Sequence, residues 1–187
     1  MYWHKVIGAA SQALFPYKTN RYKGKRRVLG RIVMTVYIAL GSNLGDKKKN
    51  LQEALRLLQK KGIHVVAVSD FITTQPYGVT DQPAFLNAAA EIKTEKSPVG
   101  LLHILLQTEQ EMGRRRIRRW GERNIDLDLL LYEDRIIDLP ELKVPHPDMQ
   151  NRDFVLRPLA QVAPEAVHPV LHKTIRELWE ELAAGSK

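Results

Sequence analysis

Two aspartates separated by one residue carry the clearest chemical signal in this 187-residue sequence. Asp126 and Asp128 lie in the alternating segment IDLDLLLY (125–132), and a strand would place both carboxylates on one face with Cα atoms about 6.6 Å apart. Two such charges repel by about 2.5 kcal/mol at an effective dielectric constant of about 20. Hard divalent cations offset that repulsion and can bridge phosphate oxygens. The pair therefore predicts a metal site for phosphoryl transfer; surface aspartates neutralised by arginines are the alternative.

Six arginines lie just before these aspartates, in the segment GRRRIRRWGER (113–123). Guanidinium groups bind phosphate oxygens in bidentate fashion, and arginine beside a metal-binding carboxylate pair is the composition expected for phosphoryl transfer. An RNA-binding loop or a solvated face has a similar composition. The arginines thus favour phosphoryl transfer only in combination with the aspartates.

The net charge of +8 comes from the start of the chain. Residues 1–34 contain eight of the 29 Lys and Arg residues and no Asp or Glu, so the remainder is balanced at 21 residues of each sign. We predict a basic arm over residues 1–34 that is disordered, or that precedes a native start at Met34. A targeting peptide and a partner-binding arm are the alternatives. The charge therefore gives no reason to expect nucleic-acid binding by the folded body.

Composition excludes several other classes of protein. Cysteine is absent, which excludes disulfides, Cys-ligated metals and a thiol nucleophile. No apolar run reaches the roughly 18 residues that a membrane-spanning helix needs, so no membrane partner is expected. With 44% hydrophobic and 27% charged residues, the sequence is typical of a globular domain, and we expect a cytoplasmic protein.

Hydrophobic periodicity from Thr35 predicts the order strand, helix, strand, strand, helix, strand. The second strand is predicted over 63–72, and the second helix is expected to bury a stripe that includes Leu102 and Leu106. Short strands near Ile136 and Leu142 and a last helix over 174–183 are expected to follow. This order indicates an α+β fold of the ferredoxin-like βαββαβ class, with an antiparallel sheet, helices on one face, and a C-terminal strand pair and helix. The opposite face would be free for ligands, and the predicted strands place Phe85 and Asn87 on it together with both aspartates.

Three connecting segments also need an interpretation. The segments 73–84 and 113–124 are long enough to suggest functional loops. The segment GSNLG (41–45) is not a Walker A loop, because no Gly-Lys-Ser/Thr follows it. We interpret it as a tight turn from strand to helix.

A series of motifs resembles the signature of the 6-hydroxymethyl-7,8-dihydropterin pyrophosphokinases of folate biosynthesis. In chain order they are ALGSNLGD (39–46), DQPAFLNAA (81–89), RWG (119–121), DLD (126–128), VPHPDM (144–149) and NRDF (151–154). The resemblance runs from about Thr35 to about Ala183 and implies a pyrophosphokinase domain over residues 35–187. It implies an ATP-dependent diphosphotransferase that transfers the β,γ-diphosphate of ATP to the pterin hydroxymethyl group and leaves AMP. Two Mg²⁺ ions and functional links to other folate enzymes are implied as well.

Carried over residue by residue, the resemblance implies roles for thirteen residues. Asp126 and Asp128 would bind the metal. The catalytic group would consist of Arg116, Arg123, Asp126 and Asp128. The pterin would contact Phe85, Asn87, Trp120, Phe154 and the backbone near Thr74 and Pro76, with the two phenylalanines on either side of its ring. The nucleotide would contact Glu109, Arg116, Trp120, Arg123, His146 and Arg152.

Some positions depart from the family pattern. The segment 113–120 is one residue shorter than the family form, which leaves open how Arg114, Arg115 and Arg116 are distributed among the phosphates. Leu106 stands where a polar nucleotide contact is expected, and Tyr77 where an aliphatic residue is usual. Neither change affects the aspartate pair.

Two alternative functions share parts of this pattern. An RNA-binding module of similar topology would carry the Arg/Lys-Gly-Phe/Tyr run on a strand, which this sequence lacks. A metal-dependent nucleotidyltransferase would place a Gly-Ser pair shortly before its aspartates, whereas Ser42 precedes Asp126 by 84 positions. Both are therefore weaker than the diphosphotransferase hypothesis.

Overall fold

The structure is a computed structural model that describes residues 26–28, 31–76, 81–114 and 121–185. The chain divides into two units, Met1–Val33 and Met34–Lys187. Most of the predicted basic arm lies outside the described residues. Its described part comprises β1 (Arg26–Val28) and the start of β2 (Arg31–Ser42), which pair antiparallel.

The main sheet of the second unit is antiparallel throughout. Its strands are β2, β3 (His64–Val68), β4 (Ile72–Thr74), β5 (Phe85–Thr94) and β6 (Asp126–Tyr132). β2 lies between β5 and β6, and β3 and β4 both pair with β5 at different points along its length. The single strand that the sequence predicts over 63–72 is therefore divided into two short ones.

Two helices cover one face of this sheet, as the sequence predicts. α1 (Lys47–Lys60) begins at Asp46, whose carboxylate accepts a hydrogen bond from the backbone N–H of Lys49 at 3.0 Å. α2 (Pro98–Glu111) begins at Ser97, whose hydroxyl accepts from the N–H of Gly100. Their apolar stripes pack on alternate residues of the strands, which form one core cluster: Val36, Ile38, Leu40, Ala88, Ala90 and Ile92.

The opposite face is not left free, and the prediction that helices lie on one face only is wrong. α3 (Asp153–Val162) packs against β5, and α4 (Ile175–Gly185) packs against α3. Ala89 faces α3 within a second core cluster, and its small side chain permits close approach. The sequence obscured α3 because Pro158 lies inside it, and proline usually marks the end of a helical pattern. The described chain therefore has two C-terminal helices, where one was predicted.

The C-terminal strand pair and the last helix agree with the sequence prediction, whereas a 3₁₀ turn between them was not predicted. β7 (Ile137–Asp138) and β8 (Lys143–Val144) form the expected strand pair, and a 3₁₀ turn over Met149–Asn151 leads into α3. The predicted last helix is confirmed as α4. None of the helices in the described ranges has the length and apolar composition that crossing a bilayer requires.

Candidate active site

A cleft of about 960 Å³ opens at the ends of β2, β5 and β6, between α2 and the start of α3. Gly41 on β2 pairs with Asn87 on one side and with Asp126 on the other, so the three residues lie abreast in the sheet. A Cβ atom at Gly41 would lie 3.0 Å from Asn87 Oδ1 and 3.9 Å from Asp126 Cβ. Glycine at this position therefore lets the amide and the carboxylate share the cleft floor.

The cleft is lined by ten of the thirteen residues for which the family resemblance implies a role. They are Thr74, Phe85, Asn87, Glu109, Arg123, Asp126, Asp128, His146, Arg152 and Phe154. Gln75 lines the cleft where Pro76 was expected to. Arg116 and Trp120 lie outside the described residues.

Two arginines neutralise Asp126. Arg114 Nη2 lies 2.8 Å from Asp126 Oδ1, and Arg123 Nη1 lies 3.0 Å from Asp126 Oδ2. Arg123 Nε is buried and has no hydrogen-bond partner in the described part of the chain. The Nε donor of Arg123 is thus unused among the described residues.

Sequence reasoning left Arg114 undecided among its neighbours, and the end of α2 explains its position. Gly113 has φ of +79°, which favours glycine and terminates the helix. The chain then turns back, and the N–H of Arg114 donates to the carbonyl of Glu109 at 3.0 Å. The guanidinium consequently forms an ion pair with the Glu109 carboxylate. A glycine directly after a helical pattern was the signal available for this placement.

Glu109 is 3% exposed, and its carboxylate is bound by other groups of the protein. Besides the pair with Arg114, its Oε1 accepts a hydrogen bond at 2.7 Å from the backbone N–H of Leu127. Leu127 is the residue between the two aspartates, so Glu109 holds β6 at that point. Burial raises the pKa of Glu109, Arg114 and the Leu127 N–H oppose that rise, and Asp126 adds to it.

Asp128, unlike Asp126, forms no ion pair among the described residues. Burial, followed by repulsion from Asp126 and Glu109, raises the pKa of Asp128 to about 7, although Arg152 and Arg114 act in the opposite direction. A cation in the cleft would relieve this repulsion. In the described ranges no group of three or more acidic or histidine side chains is arranged to hold a metal. A pair of carboxylates is nevertheless a donor set that suits an ion such as Mg²⁺, which takes one or two carboxylates and completes its shell with phosphate and water oxygens.

Aromatic rings and an amide line the β5 side of the cleft. Asn87 Nδ2 donates to Thr74 Oγ1 at 2.7 Å, which orients the amide on the cleft floor. The Arg123 guanidinium carbon lies 5.3 Å from the centre of the Phe85 ring. Flat rings together with a few placed polar groups are typical of a site for a planar heterocycle.

The start of α3 and the segment before it line another side of the cleft. The guanidinium carbon of Arg152 lies 5.8 Å from the centre of the Phe154 ring, and Arg152 Nε donates to Asp148 Oδ2 at 2.8 Å. His146 Nδ1 accepts at 3.3 Å from the N–H of Asp148. Burial and the charge of Arg152 lower the pKa of His146. The imidazole is therefore neutral near pH 7, with its proton on Nε2.

Sequence reasoning placed only Leu106 on the aliphatic side of the cleft, as a departure from an expected polar nucleotide contact. Four leucines line that side between α2 and the β7–β8 pair, with three polar side chains beside them: Leu102, Leu106, Leu129 and Leu142, with His103, Glu141 and Lys143. The sequence assigned Leu102 and Leu106 to the buried stripe of α2, but both are only half-buried and face the cleft. Their position at the margin of that stripe was the available signal.

Comparison with known proteins gives one consistent result. A family model described as 7,8-dihydro-6-hydroxymethylpterin-pyrophosphokinase (HPPK) matches residues 37–164. A 2-amino-4-hydroxy-6-hydroxymethyldihydropteridine pyrophosphokinase of Haemophilus influenzae is 48% identical over 152 residues, which cover 81% of this chain and 94% of the relative. The enzyme of the same name from Bacillus subtilis is 49% identical over 127 residues, covering 67% of this chain and 76% of the relative.

Solved structures similar to this chain include HPPK-DHPS proteins. The wild-type Plasmodium falciparum HPPK-DHPS with pteroate superposes with a TM-score of 0.66 at 17% identity, covering 81% of this chain. The same protein with pterin and p-hydroxybenzoate gives a TM-score of 0.65 at 18% identity, covering 82%. The chain spans 43% and 44% of those two proteins. At such identities the similarity shows the fold alone.

Proposed function

Because the chain belongs to the 7,8-dihydro-6-hydroxymethylpterin-pyrophosphokinase family and is a pyrophosphokinase of folate biosynthesis, we propose that its cleft binds ATP and 6-hydroxymethyl-7,8-dihydropterin together. The observation that carries the proposal is a single cleft lined by the aspartate pair, by the rings of Phe85 and Phe154, and by Leu102 and Leu106 of α2. We also assign the domain to residues 35–187 and its fold to the ferredoxin-like class, on the strand order β6–β2–β5–β3.

The pterin belongs on the β5 side. Phe85 and Phe154 offer ring faces, and Asn87 and Thr74 offer hydrogen-bonding groups for the rim of the pterin. The base of ATP then belongs on the aliphatic side, where Leu102 and Leu106 line the wall. The phosphates would lie between the two pockets, over the aspartates and beside Arg123.

Mg²⁺ is the cation that this donor set fits best, and we propose two ions held by Asp126 and Asp128 together with phosphate oxygens. When bound, the ions neutralise phosphate charge and polarise the phosphorus that is attacked. Arg114 and Arg123, which neutralise Asp126 in the structure, lie where they can bind phosphate oxygens instead. Burial and the repulsion from Asp126 and Glu109 raise the pKa of Asp128, and a bound cation would relieve that repulsion.

The reaction is an in-line displacement at the β-phosphorus of ATP. The hydroxymethyl oxygen forms a bond to that phosphorus, the bond between the phosphorus and the α,β-bridging oxygen breaks, AMP leaves, and the hydroxyl proton passes to solvent water. Arg123 stabilises the charge that spreads over the transferred group, and the neutral His146 can donate from Nε2 to a phosphate oxygen. Positioning and electrostatics supply most of the acceleration.

Simultaneous binding of both ligands tests the two-pocket arrangement. With Mg²⁺ and a non-hydrolysable ATP analogue present, titration calorimetry is expected to show one pterin bound per chain. Phe154→Leu is expected to weaken pterin binding about tenfold or more, since one stacking face is lost, and to leave analogue affinity within about twofold.

Phe71→Leu is the matched control for this experiment. Phe71 packs against the main core cluster and lies outside the cleft lining, so its replacement should leave pterin affinity unchanged. Mutual exclusion of pterin and the ATP analogue would contradict the proposal, as would equal losses of pterin affinity in the two variants.

A further inference from the structure

A buried asparagine outside the cleft joins two segments that supply the site. Asn43 belongs to the turn between β2 and α1 and is 1% exposed, and it is not among the residues that line the cleft. Its backbone N–H donates to the carbonyl of Arg123 at 3.0 Å, and its Oδ1 accepts from the N–H of Arg123 at 2.8 Å. Asn43 thus binds both the backbone N–H and the backbone carbonyl of Arg123.

The same side chain also holds the segment that leads into β5. Asn43 Nδ2 donates to Gln82 Oε1 at 3.1 Å and to the carbonyl of Pro83 at 3.2 Å. Lys47, one turn further along the chain, adds a bond from its Nζ to the carbonyl of Ala84 at 2.7 Å. The residue that follows this segment is Phe85, whose ring lies beneath the Arg123 guanidinium.

We propose that Asn43 is a positioning residue that fixes the phosphate-binding Arg123 relative to the pterin-binding Phe85. Both amide hydrogens and the amide oxygen are used, and the residues that they contact are 80 and 40 positions away in the chain. A turn needs no such contacts for its own geometry. The inference rests on the proposed roles of Arg123 and Phe85, and it gives the GSNLG turn a purpose beyond joining a strand to a helix.

The substitution Asn43→Asp distinguishes the bonds to Arg123 from the bonds to the Gln82–Pro83 segment. Aspartate keeps the acceptor for the N–H of Arg123, but it removes the donor to Gln82 Oε1 and to Pro83 and places an oxygen against the Pro83 carbonyl, which can only accept. Misplacement of reacting groups by about 1 Å costs about 10²-fold in rate, so we expect kcat to fall by about that factor. We expect the KM for the pterin to rise about tenfold and the KM for ATP to stay within about threefold.

Asn50→Asp is the matched control. Asn50 Nδ2 donates to the carbonyl of Leu44 at 2.9 Å and to Ser42 Oγ at 3.2 Å, so the same substitution removes two donors from the same turn. No hydrogen bond joins the Asn50 side chain to the Gln82–Pro83 segment or to Arg123 among the described contacts. Wild-type AMP formation is measured alongside, so that a failure of the proposed function is separated from a failure of this inference.

Two further variants make the test independent of folding. Gln82→Met removes one acceptor without altering the turn, and we expect the pterin KM to rise about threefold. Combining Asn43→Asp with Gln82→Lys replaces the lost bond by an ion pair, and we expect at least about tenfold recovery of kcat. An active wild type with equal kinetic losses in Asn43→Asp and Asn50→Asp would overturn the proposal. So would a Gln82→Met enzyme with an unchanged pterin KM and no recovery in the double variant.

Discussion

Replacing Asp128 by asparagine is expected to lower turnover by about 10³-fold or more and at the same time to stabilise the ligand-free protein at pH 8. The loss of turnover follows because the carboxylate that would hold the metal against the phosphates is removed. The gain in stability follows because the pKa of Asp128 is raised to about 7 in the folded protein by burial and by two neighbouring carboxylates. Turnover and thermal unfolding of the same preparation test both expectations.

The pH dependence of this stability difference has a definite sign. A carboxyl whose folded pKa is raised retains its proton more tightly when folded, so the protein loses stability as the pH rises from the ordinary value of about 3.8 to about 7. Asp128→Asn should therefore unfold at a higher temperature than wild type at pH 8 and show little difference at pH 4. Asp70→Asn, an exposed aspartate between β3 and β4, should change neither property. Near-normal turnover of Asp128→Asn would refute the metal assignment.

Arg123→Ala is expected to lower kcat by about 10³-fold with a smaller effect on the KM for ATP. Its guanidinium contacts Asp126 and lies over Phe85, and Arg123 lines the cleft in which the phosphates would lie. Charge stabilisation by such an arginine is realised mainly in the transition state. Arg123→Lys should recover only part of the rate, because lysine cannot donate in the same fork geometry.

Arg56→Ala provides the control for charge removal. Arg56 is exposed on α1 and pairs with Glu53, so its loss should leave steady-state kinetics unchanged. A raised KM for ATP with an unaltered kcat in Arg123→Ala would show that the arginine binds substrate and transition state equally. That result would contradict its assigned catalytic role.

Local patterns were sufficient to predict most of the sheet and its polar face. Alternation along β6 placed Asp126 and Asp128 on one face, and the paired strands put Asn87 beside them through Gly41. These predictions succeed because side-chain direction in a strand depends only on parity. The motifs of the family resemblance then selected ten residues that the fold brings into one cleft.

Features that depend on tertiary contacts could not be predicted in this way. The bond from Leu127 N–H to Glu109 joins residues 18 positions apart, and no local pattern encodes it. The second helical layer was missed because Pro158 interrupts the pattern of α3, although packing against β5 stabilises that helix. The role of the GSNLG turn was also hidden, since the partners of Asn43 lie far away in the chain.

The most direct test of the central claim is separation of the nucleotides after incubation with ATP, Mg²⁺ and 6-hydroxymethyl-7,8-dihydropterin. Diphosphate transfer predicts AMP that forms only when the pterin is present, in an amount equal to the pterin diphosphate. Omission of Mg²⁺, or the Asp128→Asn substitution, should abolish it. Formation of ADP would instead indicate transfer of a single phosphoryl group, and AMP formed without pterin would indicate hydrolysis. Either result would contradict the proposed reaction.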